Sequence, residues 1–208
     1  MISDLTLITL LDLLGTFAFA ISGLKFASGK NIDWFGAYIV GLVTAIGGGT
    51  LRDLLLDVKP FWMSEPRYLL TTGVALMTAI IFKKKIFKMG ATLFLFDTIG
   101  LGIFTIVGIS KSLAFGFPVW VCITMGTITG SVGGVLRDVL INEVPLLFRK
   151  DIYALACVAG GIVYFICLKI PIPANFAEII GASSVILFRI LAVKYHLHLP
   201  TLPSIHDD

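Results

Sequence analysis

Long apolar runs separated by short polar joints set the pattern of this chain. A membrane-crossing helix needs about 20 mostly apolar residues. Seven runs are candidates: Leu5–Leu24, Trp34–Leu56, Arg67–Phe82, Met89–Ile109, Phe117–Ile141, Ile152–Ile170 and Ala174–Val193. The joints are too short to hold a separate water-soluble domain. The pattern predicts an all-α membrane protein with a single transmembrane domain over 1–208 that ends in a polar, Pro-containing, mobile tail at 195–208.

The runs repeat. At a constant offset of 85 residues and without gaps, Asp12 matches Asp97, Gly15 matches Gly100, Phe19 matches Phe104, Gly23 matches Gly108 and Gly41 matches Gly126. The series continues through Thr44 with Thr129, Gly48 with Gly133, Gly49 with Gly134, Leu51 with Leu136, Arg52 with Arg137 and Asp53 with Asp138. It closes with Pro60 on Pro145 and Tyr68 on Tyr153. Such a register indicates duplication of a three-span unit, repeat one at about 5–82 and repeat two at about 89–170. Three is odd, so the second copy enters the membrane from the opposite side, and the copies are inverted about a pseudo-two-fold axis in the membrane plane. The seventh run, about 174–193, has no counterpart.

Composition agrees with this reading. The chain of 208 residues is 57% hydrophobic and 14% charged, where a soluble domain carries roughly 25% charged residues. The first run has no basic segment before it, contains Asp12 and has a partner later in the chain. It reads as a retained span and not as a signal peptide. Lys and Arg fall nine to four between the two sets of joints: Lys25, Lys30, Lys83, Lys84, Lys85, Lys88, Arg149, Lys150 and Lys194 against Lys59, Arg67, Lys111 and Lys169. By the positive-inside rule the amino terminus is outside and the carboxyl terminus cytoplasmic. The run from Lys83 to Lys88 reads as an anchor of that kind, with binding of anionic head groups as the alternative. A net charge of +3 gives no support to nucleic-acid binding. Cys122, Cys157 and Cys167 lie in apolar runs without metal-ligand spacing and read as small buried residues. His196, His198 and His206 fall in the tail, so no imidazole-based catalytic site is expected in the membrane and the chain does not read as an enzyme.

The candidate chemistry lies in Gly47-Gly48-Gly49-Thr50-Leu51-Arg52-Asp53 and in its copy Gly133-Gly134-Val135-Leu136-Arg137-Asp138. Two readings of the glycines compete. In one they break the second and fifth helices at mid-membrane and free carbonyl oxygens for a partly dehydrated cation. In the other they let two helices pack closely; Gly41 and Gly126 fit this second reading better. Val132 stands where the first copy has Gly47, so the second break would have one glycine fewer.

Arg52 and Arg137 lie inside apolar runs, where an Arg costs roughly 2.5–3.5 kcal/mol on insertion scales, so each needs a carboxylate. Neighbours on a helix are about 100° apart, which argues against simple Arg52–Asp53 and Arg137–Asp138 pairs. Asp12 and Asp97 are the expected partners, as a structural lock, a gate or a charged pore lining. Within the runs, Arg52, Arg137 and Arg189 stand against Asp12, Asp53, Asp97, Asp138 and Glu178, a negative balance that favours cations.

Seven spans, a duplicated three-span unit and the paired GGGTLRD and GGVLRD segments resemble the prokaryotic trimeric intracellular cation (TRIC) channels over nearly the whole chain. The resemblance implies a homotrimer in the prokaryotic inner membrane, each protomer with its own pore for the monovalent cations K⁺ and Na⁺. It implies second and fifth helices kinked at Gly47, Gly48, Gly49, Gly133 and Gly134, with the cation passing near those glycines and Thr50. Arg52, Asp53, Arg137 and Asp138 would line or brace the pathway with Asp12 and Asp97. No cofactor is implied beyond the transported ion, and membrane lipid is the surrounding partner. Members of the same bacterial family are also described as transporters of glycine and similar small amino acids. A carrier would hold the carboxylate at one broken helix end and the ammonium on an Asp. A structural protein without a pathway is the third reading.

Overall fold

The computed structural model describes residues 2–82, 91–149 and 152–199. Lys83, Lys84, Lys85, Lys88, Lys150, His206 and the tail from 200 onward lie outside the described residues. Within them the chain forms seven α-helices: α1 (Ile2–Ala27), α2 (Trp34–Leu55), α3 (Arg67–Ile81), α4 (Ala91–Ala114), α5 (Val119–Leu140), α6 (Ala154–Cys167) and α7 (Ala174–Lys194). Five of them are long and apolar enough to cross a membrane. The other two, α3 and α6, have 15 and 14 residues and are equivalent elements of the two repeats. At 1.5 Å per residue each is shorter than a ~30 Å hydrocarbon core. Each follows a single 3-10 turn, at Phe61–Met63 and at Leu146–Phe148.

Reciprocal contacts relate the repeats. A Cβ on Gly15 would meet the Phe104 ring, and one on Gly100 would meet the Phe19 ring. The two rings stack edge to face with centroids 5.3 Å apart. Gly23 faces the Thr44 hydroxyl and the Gly41 Cα, while Gly108 faces the Thr129 hydroxyl and the Gly126 Cα. Contacts that exchange the two copies are those of a two-fold axis. The axis runs through a core of α1, α2, α4 and α5. The helix α3 packs on α1, while α7 packs on α6 and α4.

At the centre the glycines do not break the helices. Residues 34–55 and 119–140 run as continuous α-helices through Gly47–Gly49 and Gly133–Gly134. The expected breaks in α2 and α5, and the freed carbonyls that would have held a monovalent cation there, are therefore corrected. A Cβ on Gly48 would stand on the Thr129 carbonyl oxygen, and one on Gly133 on the Thr44 carbonyl oxygen. Gly47 lies under Leu136, 2.6 Å from its Cδ1 by the same measure. The close-packing reading therefore holds. Its physical reason is that a lost backbone hydrogen bond in hydrocarbon costs more than glycine's low helix propensity. The helices end beyond the glycines, at the left-handed residues Asp57 (φ 55°) and Asn142 (φ 57°). Pro60 and Pro145 come later and cap the 3-10 turns.

The crossing predicts a graded response to methyl groups. Gly48→Ala or Gly133→Ala should destabilise the protein by about 1–3 kcal/mol through overpacking. Gly73→Ala, where nothing lies within 4 Å, should be neutral or slightly stabilising. Unfolding midpoints of the purified protein in detergent measure all three.

Candidate functional site: two buried charge clusters

Each of the long core helices α2 and α5 delivers an Arg-Asp pair in its last turn. At the α2 end Arg52 and Asp53 are buried, and Arg52 Nε donates to Asp53 Oδ1 at 2.7 Å. At the α5 end Arg137 Nε donates to Asp138 Oδ1 at 2.8 Å. The expectation that these neighbours do not pair is corrected. A 100° step separates their Cβ atoms, but the flexible Arg arm curls across it. The second oxygen of each aspartate is also used: the Phe61 N–H donates to Asp53 Oδ2 at 3.0 Å and the Leu146 N–H to Asp138 Oδ2 at 2.9 Å. The Arg-Asp segment thus turns the chain out of the helix and starts the following 3-10 turn.

Asp97 pairs with Arg137 as expected: Nη1 donates to Asp97 Oδ1 at 2.6 Å and to the Ser22 hydroxyl at 2.8 Å. The guanidinium also lies 4.1 Å from the Phe26 ring centroid. Asp12 differs from its counterpart and accepts from the Tyr68 hydroxyl at 2.7 Å. At the α2 end the additional cation is Lys111, whose Nζ donates to Asp53 Oδ1 at 2.8 Å. It comes from the last turn of α4, where the charge count had placed it in a joint. With Lys111 included, the α2 end holds Asp12 and Asp53 against Arg52 and Lys111. The α5 end holds Asp97 and Asp138 against Arg137 and Arg189. Each end is formally balanced, so the excess of acidic residues inferred from the runs reduces to Glu178, which accepts from the Ser110 hydroxyl at 3.1 Å.

Arg189 on α7 is 2% exposed. Its Nη1 donates to the Ile152 carbonyl at 3.1 Å, and its guanidinium lies 4.6 Å from the Tyr153 ring centroid. It shares with Asp97, Leu146, His196 and His198 the lining of a cavity of about 280 Å³. The Thr50 hydroxyl accepts from Trp62 Nε1 at 3.0 Å and donates to the Ile46 carbonyl, so it is fully engaged beside the α2 cluster. Among the described residues, no group of three or more His, Cys, Asp or Glu is placed to hold a metal ion.

A family model described as Glycine transporter matches the chain twice, at residues 9–84 and 94–169. The chain belongs to this family. The two matches stand 85 residues apart, the register of the duplication. The inner membrane protein YadS of Escherichia coli K12, of the UPF0126 group, is 38% identical over 194 residues, covering 92% of this chain and 94% of that protein. A UPF0126 membrane protein of Vibrio cholerae is 36% identical over 200 residues, covering 95% of this chain and 84% of that protein. Among solved structures, a TRIC trimeric intracellular cation channel orthologue from Rhodobacter sphaeroides superposes with a TM-score of 0.86. It is 32% identical and covers 92% of this chain and 100% of that one. A prokaryotic TRIC channel in 0.5 M KCl gives 0.85 at 30% identity, covering 93% and 99%. This family member is accordingly a seven-helix membrane protein and not an enzyme.

Sequence reasoning placed Arg52, Asp53, Arg137, Asp138 and Asp97 in the clusters and brought Asp12 to the α2 end. It missed Lys111, Ser22, Phe61 and the role of Tyr68. The one available signal for Tyr68 was its match to Tyr153, since a buried hydroxyl within a span needs a partner.

Outside the spans, Lys30 Nζ bonds Glu143 Oε1 at 2.7 Å and ties the α1–α2 joint to the end of α5. That hydrogen bond, more than the Lys30 charge at a distance, holds the Glu143 carboxyl below its usual range. A depressed folded-state pKa stabilises above the unfolded value and is lost as pH falls through the folded one. Glu143→Gln should therefore lower the unfolding midpoint slightly at neutral pH and have no effect in acid, as a pH series of melts would record. Inside the membrane the effect is larger. Arg137→Met leaves two buried carboxylates without their guanidinium and should cost about 3–5 kcal/mol. Arg52→Met should cost less, because Lys111 still pairs Asp53. Unfolding of both variants in detergent orders them.

Proposed function

We propose that the protein is a monovalent-cation channel, a homotrimer with one pathway through each protomer, in a prokaryotic inner membrane with the amino terminus outside. The observation that carries this reading is a buried, carboxylate-bearing cluster at each end of one four-helix core, in a fold shared over more than nine-tenths of the chain with proteins named cation channels. Cations crossing hydrocarbon need carboxylates or oriented oxygens in place of water. Balanced clusters of paired carboxylates suit K⁺ or Na⁺ better than a divalent ion, which takes several acidic ligands together.

With Gly48 against Thr129 and Gly133 against Thr44, the centre is closed. Conduction requires α2 and α5 to separate there, and the intervening backbone then lines the opening beside Gly47, Gly49, Thr50 and Gly134. At the α2 end the ammonium of Lys111 occupies the position that a passing cation would take on Asp53. Lys111 is about a third exposed, so it exchanges with ions more readily than the buried Arg52.

A second reading, a carrier for glycine or a similar zwitterion, draws on one feature. Asp97 Oδ2 and Arg189 Nε, both buried without a hydrogen-bond partner, belong to residues lining a single cavity. They offer an acceptor for an ammonium and a donor for a carboxylate.

Purified protein in liposomes separates the readings. A channel gives K⁺ flux without added amino acid, and Lys111→Met raises that flux by uncovering Asp53. Saturable uptake of labelled glycine with no K⁺ flux would overturn the channel in favour of the carrier. Neither activity from correctly folded protein would favour a structural role.

A further inference from the structure

The two repeats place equivalent residues around equivalent glycines, yet the surroundings differ. Over Gly49 sits a ring: Phe61 Cε1 is 2.5 Å from where a Cβ would stand, and its other two nearest neighbours belong to the same ring. Tyr68 stacks edge to face on Phe61 at 4.4 Å and spends its hydroxyl on Asp12. The ring covers this recess, and the Tyr68 hydroxyl and Asp12 Oδ2 are bonded to each other; the buried Nε of Arg67, whose guanidinium lies 5.4 Å from the Tyr68 ring centroid, has no hydrogen-bond partner. Over Gly134, the counterpart of Gly49, the residue in the place of Phe61 is Leu146, which is too short to cover the glycine. The nearest atoms are polar instead: the Tyr153 hydroxyl oxygen at 2.8 Å, Arg137 Nη2 at 3.6 Å and Asp97 Oδ1 at 3.7 Å.

Three buried polar atoms of these residues lack a hydrogen-bond partner: Tyr153 OH, Arg137 Nη2 and Asp97 Oδ2. Arg189 Nε, a fourth, belongs to the side chain stacked on Tyr153. The four residues are at most 2% exposed. Leaving such atoms unpaired in the interior is unfavourable. They comprise a carboxylate acceptor, two guanidinium donors and a hydroxyl that does either. The local charge is balanced, so neither a free cation nor a free anion matches the set, whereas water does. The adjoining cavity of about 280 Å³ is lined by Asp97, Arg189 and Leu146. At about 30 Å³ per molecule it has room for several waters.

We propose that the second repeat holds bound water between Asp97, Arg137, Tyr153 and Arg189, and that Phe61 excludes water from the equivalent place in the first repeat. One water accepts from Arg137 Nη2, donates to Asp97 Oδ2 and bonds the Tyr153 hydroxyl. Another accepts from Arg189 Nε and joins the first to the cavity. Tyr153 is then a positioning residue for this water, and of the two equivalent glycine recesses one holds water and the other is covered by a ring. The inference stands whether the pathway conducts ions or carries amino acids.

Hydroxyl-radical footprinting tests it on the whole protein in nanodiscs. A short X-ray pulse makes radicals from bound as well as bulk water, and mass spectrometry reads oxidation at each tyrosine. Tyr153 should label several-fold faster than Tyr68, although both are buried. Leu146→Phe should suppress Tyr153 labelling, and Phe61→Leu should raise that of Tyr68. Labelling of Tyr153 no faster than Tyr68 in the wild type, or unchanged in folded Leu146→Phe protein, would overturn the proposal. So would an experimental density map that resolves solvent elsewhere but shows none within hydrogen-bond distance of Asp97 Oδ2 and Tyr153 OH. The wild-type comparison and the map need no variant to fold.

Discussion

A glycine backbone pressed against a threonine carbonyl, twice over, holds the centre of this molecule. Gly48 takes the Thr129 carbonyl and Gly133 takes the Thr44 carbonyl, so at the crossing no side chain stands between α2 and α5. In lipid no hydrophobic force drives helices together, and contact area and weak polar contacts must do it. The approach suits Cα–H···O contacts, worth about 0.5–1 kcal/mol each. The same carbonyls remain inside intact helices, because hydrocarbon offers no other donor. Thr44 and Thr129 return their hydroxyls to Val40 and Met125, four residues back, so these polar side chains are also satisfied. The rest of the core follows from this crossing: α1 and α4 meet at Phe19 and Phe104 on the same axis, and their glycines bring them onto α2 and α5.

Charge enters this core at the ends of the two central helices. Asp53 and Asp138 each bind the preceding arginine with one oxygen and a backbone N–H eight residues on with the other. A buried carboxylate used in this way closes a helix, fixes the chain reversal and supplies the counter-charge that makes the arginine tolerable. The lock and pathway readings of these residues are therefore not exclusive. An ion that displaces Lys111 from Asp53 would meet a carboxylate still held in position by Arg52 and the Phe61 amide.

Pseudo-symmetry makes the differences between the copies informative. Lys111 stands where the first repeat has Phe26, so one cluster gains an ammonium and the other an aromatic face. Phe61 stands where the second has Leu146, so one glycine recess is filled by a ring and the other is bordered by polar atoms. The seventh helix adds Arg189 to the second cluster alone. From the same duplicated backbone, the chain thus carries a partly exposed, lysine-held end and a buried, two-arginine end.

The seven helices, the duplication and its register were legible in the sequence, because hydrocarbon demands long apolar runs and because equivalent residues kept a constant spacing; that α3 and α6 are too short to cross by themselves was not. The Asp and Arg members of the clusters were legible for the same reason, since an Asp or Arg inside an apolar run has nowhere to go but the protein interior; Lys111, which the charge count put in a joint, was not. Three matters were left to tertiary structure. Glycine weakens a helix and also lets helices touch, and only the carbonyl opposite Gly48 and Gly133 decides between the two. Helical angles say where Cβ atoms lie and not where a flexible arginine ends, so the Arg52–Asp53 and Arg137–Asp138 pairs were hidden. Asp12 and Asp97 are equivalent along the chain, and their different partners, Tyr68 and Arg137, follow from side chains that meet only after folding.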